Sequence, residues 1–565
     1  MKKERTIDIL ICILMTCVCL FSFFDSKIIV NISQDITFHI NRFVGLANAL
    51  EEGQILPKIY PYANNGFGYA TPLFYCDLFL YPFAILYHFG LSAVWCYKLC
   101  VLFYTTLGNI FIYLIFKKET NNRKLSLLAS FLYLTCSYHL LNIFIRGALG
   151  EILAMTFVPL VLYAIYRILI KHEECFIFLG ISFSLLVQSH LISSLLYGIF
   201  FFCMIVVFLI MNRKDFSLIK KTIITIIKGT IIALLLCAWY LLPMFEQMHS
   251  QTFWLSVNSQ YNNINTTIQP VSDLIRSSSY KFIPGVGIVF VLFNILYLLA
   301  KKNKYITIII IYILFMYLII FGLIPGTILN VVQFYFRLYI VIFPLFIIVM
   351  LYVLSEFKYQ NILIAISILM LFGNVVVTNI KMMNDGEYYL SNNATINEVN
   401  SITSYKYNLD YNHDELGGAE YLPYTGYMDY NNDSLAIKCV DKNDQVVDYV
   451  YEYDRHFSQI MFTCNNERDL ELLLPLSYYK GYKAYELIDD KYIPVDITYS
   501  PVYKTVLIFG KEGEHTYKVL YEGTVVQKAT LIMSSVSLLG LIIYGVYKRK
   551  NKLGYNRKTG GNNYE

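Results

Sequence analysis

Three side chains able to do chemistry fall on one helix face near the N-terminus. In Asn31 to Gly53 (NISQDITFHINRFVGLANALEEG), Asp35, His39 and Arg42 stand at i, i+4 and i+7. A carboxylate, an imidazole and a guanidinium so aligned could take a proton from a hydroxyl and hold an anion beside it. Ile36, Ile40, Phe43, Ala47 and Leu50 form an apolar stripe on the other side. Ser33 stands where an N-cap belongs, and Gly53 where a helix stops. The pattern predicts an amphipathic helix lying on a membrane surface. The bland alternative is a solvated helix face with an incidental Asp–His pair.

The elements that must position these groups are apolar. The chain has 565 residues, 57% of them hydrophobic, and a mean hydropathy of +0.51, too apolar for a soluble globular protein. Runs of about twenty residues with few charges recur along it, which predicts a polytopic α-helical membrane protein with about twelve transmembrane helices. The first, Ile7 to Phe24, follows Lys2, Lys3 and Arg5 without a small-residue cleavage site and reads as an anchor. Basic clusters at Lys117–Lys124, Lys171, Arg213–Lys221, Lys301–Lys304, Lys358 and Lys548–Lys552 close alternate spans. They share the cytoplasmic side with both termini provided that Tyr69–Gly90, which carries Pro72, Asp77 and Pro82, does not cross. Tyr69–Gly90 is therefore read as an interfacial or re-entrant part of a long first outer loop. The net charge of +5 comes largely from these loops and reports topology, not nucleic-acid binding.

This topology sorts the ionisable residues. Asp35, His39, Arg42, Arg146, Glu151, His190, Glu246, Asp273 and Arg337 all reach the outer face, with Arg146-Gly-Ala-Leu-Gly-Glu151 filling one short loop. Each alone fits a snorkelling or capping residue, but their convergence on one side points to a site. The carboxylates of Asp35 and Glu151, the imidazoles of His39 and His190 and the guanidiniums of Arg42, Arg146 and Arg337 make up that candidate set. Loop 246–281, with Trp254 and Tyr261, is the expected lid.

The domains expected are a transmembrane domain over 1–379, a β-rich domain over 380–525, a final helix over 526–547 and a basic cytoplasmic tail over 548–565. The 380–525 segment holds more than half of the chain's 40 acidic residues. Alternating runs such as Thr505–Phe509 and Thr516–Tyr521, separated by turn residues, predict a sandwich. It lies between an outward and an inward span, hence outside. Its tyrosines would suit stacking on sugars, although filling a small β core is their commoner use. Cys439 and Cys464 could form a disulfide there. No P-loop, GxSxG, HExxH or dinucleotide fingerprint stands in a supporting context, so nucleotide-driven cytosolic chemistry has no footing.

An acidic residue near the start of a first outer loop that leads into membrane-surface helices resembles the GT-C class of membrane glycosyltransferases. The details are similar to YfhO-like bacterial proteins and to the group labelled pyruvoyl-tetrahydropterin-synthase-related membrane proteins. The matching pieces thread the chain in order: QDITFHINR (34–42), NNGFGYATPLFYCDLFLYPF (64–83), RGALGEILAM (146–155), the His190 turn, QFYFR (333–337), GGAEYLP (417–423) and LPLSYYKGY (474–482). Nothing in the chain resembles the soluble pterin enzyme with its histidine-bound zinc, so that label is no guide to chemistry.

The resemblance implies a bacterial plasma-membrane enzyme moving a sugar from a polyprenyl-phosphate donor to an extracytoplasmic acceptor. That acceptor would be a teichoic-acid-type polymer or another envelope glycan. A sugar-lipid synthase and a flippase are implied as suppliers of the donor. GT-C enzymes place a catalytic acid where Asp35 stands, so the resemblance makes Asp35 the expected base, with His39 to orient it or contact the phosphate. Glu151 is then the second choice, or the other half of a divided acidic site with Asp35 for a divalent cation such as Mg or Mn. Arg146 and Arg337 become the expected phosphate clamps, with Arg42 and His190 completing the binding set. A single Asp, not an acidic pair, leaves metal dependence open. The rival readings are a transporter or flippase for lipid-linked glycans and an inactive assembly factor. A flippase should carry polar groups through the membrane depth, whereas these gather at one face.

Overall fold

The computed structural model describes residues 2–25, 35–64, 66–257, 268–272, 287–324, 327–358, 360–385, 420–424, 435–441 and 445–559. Ser33, Tyr261, Asp273 and residues 417–419 lie outside them. In chain order the helices are α1 (Lys2–Cys19), α2 (Ile36–Glu51), α3 (Thr71–Phe74), α4 (Tyr81–His88), α5 (Ala93–Thr120), α6 (Arg123–Leu134), α7 (Ser137–Leu141), α8 (Leu149–Leu169), α9 (Phe176–Ser189), α10 (Leu191–Met211), α11 (Phe216–Met248), α12 (Trp254–Val257), α13 (Ile288–Leu296), α14 (Lys304–Ile320), α15 (Tyr339–Glu356), α16 (Gln360–Asp385) and α17 (Val525–Thr559). Polar caps start several of them. Ser92 accepts from the Trp95 N–H, Asn122 from Leu125 and Asp215 from Leu218, satisfying donors that a helix start leaves unpaired.

Among the described residues eight helices are long and apolar enough to cross a membrane: α5, α6 continued to Arg146, α8, α10, α11, α15 with its leading turn, α16 and α17. The protein is thus a polytopic helical membrane protein. The other expected spans correspond to α1, α9, α13 and α14. α1 opens on Lys2, Lys3, Glu4 and Arg5 and carries Asp8, and at 1.5 Å per residue α9 reaches only about 21 Å against a hydrocarbon core of about 30 Å. Asp8 is buried at the far end of the bundle, held by Arg123 at 2.7 Å and by the Tyr113 hydroxyl.

Two expectations for the first loop meet different outcomes. Tyr69–Gly90 forms no long helix, only α3 and α4, as Pro72 and Pro82 at the first turns of each dictate. α2, however, does not lie with a polar face in water. Its predicted stripe is buried apart from the half-buried Leu50, but so are His39 and Arg42 on the opposite face, 2% and 1% exposed. The chain after α2 folds back through a Tyr60–Tyr69 bridge and covers that face.

Ten strands follow: β1 (Ile437–Val440), β2 (Val446–Val450), β3 (Asp454–His456), β4 (Gln459–Asn466), β5 (Leu470–Ser477), β6 (Tyr482–Ile488), β7 (Lys491–Val495), β8 (Ile497–Tyr499), β9 (Thr505–Gly510) and β10 (Gly513–Tyr521). They make two five-stranded antiparallel sheets, ordered β2-β1-β5-β9-β8 and β3-β4-β10-β6-β7. The inward side chains alternate along the strands and meet in one core: Ile437, Leu472, Leu474 and Ile508 from one sheet, Ile460, Phe462, Tyr517 and Val519 from the other. Cys439 and Cys464 lie in this core as free thiols. Tyr479, Tyr482 and Tyr517 are core tyrosines, while Tyr449, Tyr451 and Tyr492 are exposed.

The sandwich is fixed to the helices. Ile59, Ala70, Leu73, Phe74 and Phe253 join its core. Gln247 exchanges two hydrogen bonds with the Lys480 backbone at 2.6 and 3.1 Å, and Glu246 pairs with Lys480 at 3.2 Å. A strap, Glu420 to Tyr424, runs between the two bodies. Its Tyr421 ring lies flat on Phe74, 5.0 Å between centroids and 4° between planes. Of the expected lid, the first part is bound to this strap, where Phe253 pairs with Pro423 and Trp254 packs edge-on against Tyr424 at 4.7 Å, while Gln269 is held by the Ile320 carbonyl and the Tyr339 hydroxyl, both at 3.0 Å. α17 closes the assembly by lending α11 a hydroxyl. Ser534 Oγ accepts from the Trp239 N–H at 3.0 Å and donates to the Leu235 carbonyl at 2.7 Å, bridging a turn of the α11 ladder.

Candidate functional site

The site grows from the loop between α7 and α8. Residues Asn142–Arg146 make one π-helical turn, a wide turn common at functional sites. Gly147 then takes a left-handed conformation, φ +61°, with its missing Cβ facing Ile36 at 3.0 Å. That close approach presses the loop onto the start of α2, and the Asp35 N–H donates to the Arg146 carbonyl at 3.0 Å. Two glycines in RGALGE thus serve contact. At Gly150 a Cβ would collide with the Tyr75 hydroxyl oxygen, so only glycine lets that ring in.

Glu151 is the hub. Its Oε1 accepts from Arg146 Nη1 at 2.7 Å and from Arg337 Nε at 3.0 Å. Its Oε2 accepts from the Tyr138 hydroxyl and from Asn142 Nδ2 at 3.2 Å. With both oxygens occupied and 2% exposure, Glu151 is a holder of arginines, not a free base, and a cation could reach it only by displacing them. The divided acidic site expected of Asp35 and Glu151 therefore does not suit a divalent ion as arranged. No cluster of three or more ligand-type side chains that could hold a metal occurs among the described residues.

Around that hub some donors are left over. Arg146 Nε is buried and unpaired, and Arg146 Nη2 stands 3.9 Å from Asp35 Oδ2, too far for a hydrogen bond. Arg337 is steadied by the Val332 carbonyl at 3.0 Å and by Gln333, over the Phe334 ring at 5.0 Å. Arg146 lies over Phe336, also at 5.0 Å. The QFYFR segment thus supplies one guanidinium and the aromatic seats of both.

Asp35 differs from every other carboxylate here. Its side chain keeps 46% of its surface open, yet it stands deep among the helices, so it faces a hollow. Burial raises its pKa above the usual aspartate value, against the pull of Arg146 and Arg337. A carboxylate held closer to neutrality is suited to accept a proton.

His190 caps α10. The Ser193 N–H donates to its Nδ1 at 3.3 Å, and burial lowers its pKa to about 3. The ring is neutral and carries its proton on Nε2. His39 is likewise pushed well down, first by burial and then by Arg42. Its Nδ1 accepts from Arg42 Nη1 at 3.1 Å, so the imidazole is pinned to Arg42 and touches Asp35 only through a backbone bond.

Arg42 is not presented to a ligand. Nε donates to Asp77 at 2.8 Å, Nη2 pairs with the same oxygen at 2.5 Å and donates to the Cys76 carbonyl at 2.8 Å, and the Tyr60 hydroxyl donates to Asp77's other oxygen. Of the expected residues, the structure brings Asp35, Arg146, Glu151, Arg337 and His190 together, with His39 and Arg42 behind them. Sequence reasoning left Asp77 and Tyr75 out of the site. The lone carboxylate in an apolar stretch was the signal for Asp77, since a buried acid requires a cation. Tyr75 carried no such signal among 50 tyrosines.

Comparison with known proteins agrees on class. A protein of Lactococcus lactis subsp. cremoris (strain MG1363), described as an uncharacterized protein, is 25% identical over 321 residues, 54% of this chain. The chain spans about half (51%) of that relative's length. The pattern of one family matches residues 73–384, from Leu73 beside the Arg42–Asp77 pair to the end of α16, and takes in Glu151, His190 and Arg337. By that match over more than half its length, the chain belongs to the 6-pyruvoyl-tetrahydropterin synthase related family of membrane proteins.

Proposed function

We propose that the protein is a GT-C-type glycosyltransferase that moves a sugar from a polyprenyl-phosphate carrier to a hydroxyl of an envelope polymer. In this reading it sits in a bacterial plasma membrane, with both termini in the cytoplasm and the sandwich outside. The observation that carries the proposal is the pairing, in one hollow, of a carboxylate with open surface and raised pKa with two guanidiniums, of which Arg146 keeps a buried, unpaired Nε–H. Asp35 takes the proton of the acceptor hydroxyl as that oxygen bonds to the anomeric carbon. The bond from that carbon to the phosphate oxygen breaks, its electron pair leaves with the phosphate, and Arg146 and Arg337 hold the resulting charge. Glu151 keeps both guanidiniums aimed. The donor is supplied by a sugar-lipid synthase and a flippase, and the docked sandwich offers the face past which a polymer acceptor would approach.

The test is the sugar composition of the cell envelope in a deletion strain, complemented by the wild-type protein or by Asp35→Asn. The wild type should restore a lost glycosyl group and Asp35→Asn should not. Full restoration by Asp35→Asn at equal expression removes Asp35 from the chemistry. An envelope unchanged by the deletion removes the transferase reading.

A further inference from the structure

Resting on the lipid-phosphate reading above, we infer that the Tyr75 hydroxyl is a hydrogen-bond donor to the departing phosphate, the third donor beside Arg146 and Arg337. Tyr75 is the centre of the hollow's aromatic wall. Its ring lies under the Arg42 guanidinium at 4.2 Å, with Phe38, His39 and His190 around it at 5.9, 5.8 and 6.4 Å. These contacts fix the ring, and the missing side chain of Gly150 gives its phenol a notch to occupy.

The phenol is idle, as are the buried hydroxyls of Tyr97, Tyr317 and Tyr482. Its neighbours Tyr60, Tyr104, Tyr138 and Tyr240 all donate to an acceptor: Asp77, the Phe79 carbonyl, Glu151 and the Phe74 carbonyl. The Tyr75 hydroxyl makes no hydrogen bond to any described residue, though it lies within electrostatic reach of Asp35, Glu151 and Arg337. Burial keeps it protonated, raising its pKa, so it can donate at any physiological pH.

Charge balance says what it waits for. Arg146 and Arg337 are already matched by Glu151 and Asp35, so a phosphate brings negative charge that the resting site does not neutralise. When the carbon–oxygen bond breaks, a further charge develops on the phosphate. A neutral donor held rigidly in place stabilises that oxygen without upsetting the resting balance. A tyrosine does this where another arginine would add an uncompensated buried charge.

The experiment uses the full chain in detergent micelles, with a polyprenyl monophosphate as probe and the polyprenol of equal length as control, read by ligand-dependent thermal stabilisation. Tyr75→Phe keeps the ring over Arg42 and should melt like wild type without ligand. It should lose roughly ten- to hundredfold in affinity for the phosphate lipid, the value of one hydrogen bond to a charged group. Affinity for the polyprenol should not change. Tyr75→Phe binding the phosphate lipid as wild type does overturns the inference and leaves the transferase reading standing. A wild-type protein that fails to distinguish phosphate from alcohol overturns both.

Discussion

Two arginine–carboxylate clusters lie side by side at one end of the bundle, built from the same residue types and doing different work. In the Arg42–Asp77 cluster every group has a partner. The guanidinium meets Asp77, the Cys76 carbonyl and His39, and Asp77's second oxygen takes the Tyr60 hydroxyl. In the Arg146–Glu151–Arg337 cluster only the central carboxylate is saturated. One Arg146 nitrogen has no partner, and Asp35 stands just beyond hydrogen-bond range with open surface. The first arrangement is closed on itself, while the second keeps a donor and a carboxylate without partners, which is what the proposed phosphate contact would use. Residue type does not separate them. The accounting of donors and acceptors does.

The largest effect should come from breaking the closed cluster. Asp77→Ala leaves Arg42 charged, 1% exposed and without its counter-ion; removing one partner of a buried pair costs about 3–5 kcal/mol. The variant should accumulate poorly and melt well below wild type in detergent, and Arg42→Met on the same background should recover part of the loss. Wild-type melting of Asp77→Ala alone would mean that the two clusters are not different in kind.

A smaller and opposite effect is expected from Arg337→Lys. Lysine keeps the charge that answers Glu151 but loses the planar fork that leaves an edge free for a phosphate. Turnover should fall about 100- to 1,000-fold, as for loss of one preorganised donor, with little change in melting. Arg42→Lys should reverse that pattern by lowering the melting temperature, because no lysine can satisfy Asp77, Cys76 and His39 at once. If both substitutions changed stability alone, the open cluster would be scaffold too.

How far the sequence reached follows the same division. Thr505–Phe509 appears within β9 and Thr516–Tyr521 within β10, because period and hydropathy are local signals. The face of α2 was legible, since Asp35, His39 and Arg42 share it by geometry. What covers that face was not. A helical pattern says which residues lie together, not what folds back over them, so a helix expected at a membrane surface is buried on both sides. Glu151 stood out as an acid in a short loop, but its role depends on Arg337, 186 positions away, and no spacing rule joins them. Tyr75 became visible only through Gly150, whose missing side chain is a contact and not a turn.

The smallest effect concerns Asp35, and it tests whether openness there has a stability signature. Its folded pKa is raised, so the native state holds a proton more tightly than the unfolded chain does. Below the ordinary aspartate range both states are protonated and the full contribution is present. As pH rises through that range toward Asp35's own higher value, the unfolded chain ionises first and the native state loses ground. Asp35→Asn removes this loss. Its melting temperature should equal wild type at acid pH and rise slightly above it near neutrality, the gap being modest because the side chain is half open to solvent. Asp77→Ala should show no such gain at any pH. A wild-type advantage over Asp35→Asn at neutral pH would mean that the carboxylate is held by Arg146 as a structural pair. Asp35 would then belong with Asp77, and the 3.9 Å gap between it and the guanidinium would close in solution.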